Sequence, residues 1–80
     1  MQLEIDANRM LTLTRNTDKY QGFVNISGNG FYSKVTFGGS SVVITGEKIA
    51  DGLLMVRGSG AMTFIDYFAL GTSSVAAGKG

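Results

Sequence analysis

The chain has 80 residues, which allows one small domain with a modest hydrophobic core. It contains no cysteine and no histidine, which excludes disulfides, thiolate nucleophiles, histidine-based triads and the usual zinc sites. Only 16% of the residues are charged and the net charge is +1, so the composition predicts neither strong attraction to nucleic acid nor strong repulsion between copies.

The N-terminal part of the chain predicts two strands. Apolar and polar residues alternate over residues 1–7, with Leu3 and Ile5 on one face, which is typical of a half-buried strand. A polar cluster then predicts a turn. Leu11 and Leu13 alternate with threonines after it, which indicates a second strand that ends at another polar cluster.

A hairpin is predicted around the Gly-Asn-Gly sequence at residues 28–30. In the strand before it, Tyr20, Val24 and Ile26 share one face, and Phe23 lies on the other. Asn-Gly readily adopts the positive φ angles of a type I′ turn, which is the strongest short-range hairpin signal.

The strand after this turn continues a three-stranded meander over residues 20–45. Tyr32 and Lys34 lie on one face of the strand, opposite its apolar residues. A Gly-Gly pair turns the chain again, and Val42 and Ile44 mark the inner face of the third strand. The predicted core residues of the middle strand are Phe31, Val35 and Phe37.

The rest of the chain is less regular. Residues 46–52 are expected to form a connector with room for a single helical turn, and the apolar run 53–56 is expected to form a buried strand. Residues 61–70 fit either a strand or a helix, although their aromatic and β-branched content favours the strand. Residues 72–80 are rich in glycine, serine and alanine and read as a tail.

These elements predict an all-β fold of six to seven short antiparallel strands, arranged as a small barrel or sandwich with the meander at its centre. We expect a single compact domain over residues 1–71, followed by the tail. No uncharged stretch is long and apolar enough to span a bilayer, and no signal peptide is visible. The expectation is therefore a soluble protein that does not associate with membranes, in an unknown compartment.

The sequence contains no complete motif for catalysis or cofactor binding. Residues 58–63 begin like a dinucleotide-binding loop, but Thr63 replaces its third glycine. Residues 71–80 partly match a phosphate-binding loop, but their glycine spacing is too long. Asp66 is the only charged residue in the most apolar segment, where it fits a water-facing edge or bend position, paired with Arg57, better than an acid-base group. We expect no enzyme, no cofactor and no metal ion.

The sequence is poorly protected against strand pairing with other chains. Proline is absent, and Lys34 is the only charged residue between residues 20 and 46. Natural sheets protect their outer strands with charges, prolines or short length. The leading expectation is a non-enzymatic structural or interaction protein that self-assembles, or docks on another protein, through exposed sheet edges. Its composition is in the style of virion, tail or filament components. The candidate interaction surface comprises Tyr20, Phe23, Tyr32, Lys34 and Tyr67.

Two other functions stay open. A curved sheet that exposes aromatic and basic side chains together is how small barrels of the OB type bind single-stranded nucleic acid. The low net charge argues against this alternative. The second alternative is a small protein inhibitor of a host factor that docks by edge pairing. The candidate nucleic-acid contacts are Tyr32, Lys34, Arg15 and Arg57.

Overall fold

The computed structural model describes residues 1–28 and 30–69, and this part of the chain is all-β and contains no helix. The all-β prediction is confirmed. The described residues form seven strands: β1 (Gln2–Ile5), β2 (Met10–Arg15), β3 (Asp18–Ser27), β4 (Gly30–Phe37), β5 (Ser40–Ala50), β6 (Leu53–Gly60) and β7 (Phe64–Ala69).

The seven strands form one antiparallel sheet in which every strand pairs with its sequence neighbours. The predicted meander is confirmed as β3, β4 and β5. The sheet curls into a half-barrel, so one sheet folds around its own core instead of packing against a second sheet. The meander leaves β1 and β7 as the two outermost strands.

The core lies on the inner face of the curled sheet. Every strand contributes to it through alternate residues, as the two-residue period of a strand requires. This alternation extends to β6, where Leu54 and Val56 are buried while Leu53 and Met55 are only half-buried. The buried apolar residues are Leu3, Leu11, Leu13, Tyr20, Val24, Phe31, Val35, Val42, Ile44, Leu54, Val56, Met62 and Phe68.

Two-residue loops join several of the strands, and residues with positive φ allow these tight reversals. Asn16 (φ 56°), Gly38 (φ 59°) and Gly52 (φ 75°) lie in the loops after β2, β4 and β5. Glycine and asparagine tolerate this backbone region best. Asn29, from which the type I′ turn was predicted, lies outside the described residues.

The expected connector over residues 46–52 is wrong. β5 continues through Ala50, and the chain turns only at residues 51–52. Gly46 pairs with Phe31 on one side and Val56 on the other, so the strand is held by two ladders at this point. These non-local hydrogen bonds outweigh the weak strand preference of the local sequence.

The ambiguous segment 61–70 contains strand β7, which confirms the strand reading and rules out a helix over Phe64–Ala69. The preceding residues 61–63 are irregular, and Met62 inserts into the core from there. The predicted tail, residues 72–80, lies outside the described residues.

Phe37 is not a core residue, contrary to the sequence expectation. Its side chain is 43% exposed, and its ring lies 5.4 Å from the ring of buried Tyr20. Phe37 is the last residue of β4, so its ring covers the end of the core instead of filling it. Ser33 instead takes a fully buried position, where its hydroxyl donates to the Phe23 carbonyl (2.9 Å).

Candidate interaction surfaces

The clearest candidate site is the outer edge of β7. β7 pairs with β6 along its whole length, from Gly58 opposite Phe64 to Leu53 opposite Ala69. Within the described part of the chain, no strand pairs with its other side. The β7 edge is therefore able to receive a strand from another chain.

A hydrogen bond identifies the backbone groups that face this edge. The Tyr67 amide donates to Oδ1 of Asp66 (2.8 Å) and so points away from β6. In an antiparallel strand, alternate residues direct both backbone groups to the same side. Ile65, Tyr67 and Ala69 therefore present their amides and carbonyls to the free edge, whereas the groups of Asp66 face β6.

On its outer face β7 exposes two large apolar side chains. Ile65 is 61% exposed and Tyr67 is 52% exposed. Their cross-strand neighbours on β6 are Arg57 and the half-buried Met55, respectively. A strand that paired with β7 would extend the sheet and also cover part of this apolar surface.

Asp66 points the other way, toward the inner face. It lies opposite the buried Val56 and is itself half-buried. The expected pairing of Asp66 with Arg57 is wrong, because Arg57 lies opposite Ile65 and thus on the outer face. The expected edge position is right within the described residues, because β7 is an outermost strand there. Within the described residues the only ion pair joins Lys48 and Asp51 (3.5 Å), so Asp66 has no cationic partner there.

A second exposed patch lies on the outer face of β3 and β4. Phe23 is 65% exposed, Tyr32 is 48% exposed, and Lys34 is exposed on the same face. Tyr32 lies opposite Thr45, which in turn lies opposite Arg57. Together with Phe23 and Lys34, this row places two aromatic residues and two cations on the outer face, as the nucleic-acid alternative requires.

The structure separates two of the predicted site residues from these surfaces. Tyr20 is buried in the core, so it is not part of an exposed surface. Arg15 lies at the end of β2, with Nη1 3.8 Å from Sδ of Met62, away from Tyr32 and Lys34. Ile65 was not among the predicted site residues. The available signal was that, in a strand, Ile65 lies on the face opposite its neighbours Phe64 and Asp66.

The described residues contain no group of three or more acidic side chains placed to hold a metal ion. No helix in this part of the chain has the length and apolar character needed to cross a membrane. No protein-family model, characterised protein or solved structure shows significant similarity to the chain. The geometry of the two surfaces is therefore what indicates a function.

Proposed function

We propose that this protein is a non-enzymatic interaction protein that joins another protein by strand pairing at the β7 edge. The observation that carries the proposal is that β7 pairs on one side only within the described residues, beside two large exposed apolar side chains, Ile65 and Tyr67. Unpaired strand edges recruit extended segments of other chains, with backbone hydrogen bonds supplying affinity and side chains supplying specificity.

The other edge of the sheet is a weaker candidate. β1 has only four residues, against six in β7, so it offers fewer backbone groups to a partner. Glu4 also lies on β1, and short charged strands are common devices against edge pairing. The comparison favours β7 as the docking strand.

A structural role in a larger assembly is supported by composition alone. The small core, the low charge and the absence of cysteine suit a subunit that gains stability from its neighbours. Self-assembly through two β7 edges is less well supported than docking on a different protein, because each β7 carries the half-buried carboxylate of Asp66. A small inhibitor would use the same edge.

Nucleic-acid binding ranks second. Phe23 and Tyr32 expose aromatic rings beside Lys34 on the outer face, on which bases could stack. However, the net charge is only +1, and affinity for phosphates depends on the number of cations that neutralise them.

The proposal is tested by selecting random heptapeptides on the immobilised protein and then measuring their binding to Tyr67→Pro. Proline removes the Tyr67 amide, which faces the free edge, without removing a hydrogen bond to β6. Tyr67→Thr is the matched control, since it removes the ring but keeps the amide. We expect selected peptides that bind the wild type and Tyr67→Thr but lose affinity for Tyr67→Pro.

Peptides that bind all three proteins equally, or a selection without any enriched peptide, would overturn the proposal. The fold of each variant is checked by the dispersion of its backbone amide signals in an NMR spectrum. Titration of the wild type with a selected peptide should shift the amide signals of Ile65 and Tyr67 most.

A further inference from the structure

Asp66 is the only charged residue of β7, and its placement constrains what the edge can accept. Its carboxylate lies on the inner face, half-buried, and no cation pairs with it within the described residues. It accepts a hydrogen bond from the Tyr67 amide, and a docking strand needs that same amide as a donor for one of its carbonyl groups. Inward-pointing charges on edge strands are a known means of preventing indiscriminate pairing.

A docked strand would bring one of its residues close to this carboxylate. The backbone groups of Asp66 face β6, so the residue opposite it on a docked antiparallel strand would occupy a non-hydrogen-bonded position. Side chains at such positions are close neighbours, with Cβ atoms roughly 4.5–5.5 Å apart. The chemistry of that one residue therefore decides how the carboxylate is accommodated.

The three classes of opposing residue have different consequences. An acidic residue would repel Asp66, and an apolar residue would further bury its carboxylate without a cation to pair with it. A lysine or arginine would pair with the carboxylate and draw it away from the Tyr67 amide. That amide is then available to the carbonyl of the docking strand.

We propose that β7 selects an extended segment of another protein that carries a lysine or arginine opposite Asp66. This inference rests on the proposed function and names the chemistry of the partner at the same edge. It follows from charge complementarity with an unpaired, half-buried carboxylate that lies next to an edge donor.

A second copy of β7 does not meet this requirement. In the antiparallel registers that overlap most of the strand, Asp66 would face Asp66, Phe64 or Phe68 of the other copy. None of these residues is a cation, so every such register leaves the carboxylate unpaired or opposed by a like charge.

The test compares two capped peptides in which threonine and valine alternate around a central lysine or a central glutamate. Valines flank the central residue, so that they face Ile65 and Tyr67 when it lies opposite Asp66. Titrations followed by the amide signals of these two residues should show roughly tenfold tighter binding of the lysine peptide, and at least about threefold.

Exchanging the charge provides the decisive control. Asp66→Asn should bind the two peptides equally, and Asp66→Lys should prefer the glutamate peptide. Should Asp66→Lys fail to fold, Asp66→Asn alone still tests whether the preference depends on the carboxylate.

The failures of the two proposals are distinguishable. Equal binding of both peptides to the wild type, with β7 amides shifting, overturns the charge selection but leaves edge docking intact. If the preference persists in Asp66→Asn, the selection comes from elsewhere and the inference is wrong. If neither peptide shifts the β7 amides of the wild type or of Asp66→Asn, edge docking itself is contradicted.

Discussion

Two glycines lie beneath phenylalanine rings of neighbouring strands. Phe31 is opposite Gly46, Phe64 is opposite Gly58, and a Cβ built on either glycine would collide with the facing ring. Glycine normally weakens a strand, but an aromatic ring across from it restores the lost contact. These two cross-strand pairs explain why β5 and β6 tolerate glycine within their length.

The residue-scale prediction is that Gly46→Ala destabilises the fold by about 1–3 kcal/mol, because the added methyl group overlaps the Phe31 ring and forces repacking. Gly39→Ala is the matched control, since nothing lies within 4 Å of its Cβ position. Urea unfolding followed by circular dichroism measures both variants. Equal midpoints for the two would show that the ring moves aside freely.

At the scale of the element, the two faces and two sides of β7 have separate roles. Its inner face carries Phe68 into the core, and its outer face exposes Ile65 and Tyr67. One set of backbone groups pairs with β6 and the other faces the free edge. Substitutions at adjacent positions of β7 should therefore have different consequences.

Ile65→Pro should destabilise the protein much less than Asp66→Pro. The Ile65 amide faces the free edge, whereas proline at residue 66 removes a ladder hydrogen bond to β6. The carbonyl group of β6 that loses this hydrogen bond is then buried and unsatisfied, which lowers the free energy of unfolding by about 1–3 kcal/mol. The free energy of unfolding of each variant measures the difference. A larger loss for Ile65→Pro would mean that the backbone groups are assigned to the wrong sides.

On the scale of the whole molecule, the half-barrel already covers its core. Leu3 on β1 is fully buried, as is Val35 on the central strand, and Phe68 on β7 is only 1% exposed. The inner face therefore needs no partner to exclude water. Among the described residues, what stays unpaired is the outer backbone edges of β1 and β7, and the outer face exposes apolar side chains.

We accordingly expect the wild type to sediment as a monomer near 8.4 kDa up to about 1 mM. Asp66→Asn removes the charge that opposes pairing between copies and leaves the Tyr67 amide with a weaker, neutral acceptor, so it should shift toward a dimer of about twice that mass. Analytical ultracentrifugation over a concentration series measures both. A wild-type oligomer that Tyr67→Pro dissociates would restore self-assembly as the better function.

Much of the fold could be predicted from local patterns. The alternation around Leu11, Val24 and Ile44 identified the buried faces of their strands, and polar clusters and one glycine pair marked the turns after β1, β2 and β4. The errors fell at positions that depend on non-local pairing. Phe37 has the pattern of a core residue but lies at the end of the barrel. Residues 46–50 are strand because β6 pairs with this stretch and β4 also pairs with Gly46 and Glu47.

The candidate site was only partly accessible to sequence reasoning. Tyr67 and Lys34 are exposed, as a surface role requires. Tyr20 is not, and its shared face with the apolar Val24 already indicated that it is buried. Asp66 was expected to face water. Its inward orientation follows from its register with Val56. The register between two strands depends on both of them, so the sequence of one strand does not determine it.

The sequence by itself determined that the chain is built from strands, that it lacks histidine and cysteine chemistry, and that few charges protect its strands from pairing. These properties depend on residue identity and on a period of two residues, both of which are local. Only the tertiary structure decided that β7 is an outermost strand, that its free edge presents the Tyr67 amide, and that Asp66 faces inward beside that amide. The reason is that strand order and register arise from hydrogen bonds between residues far apart in the chain.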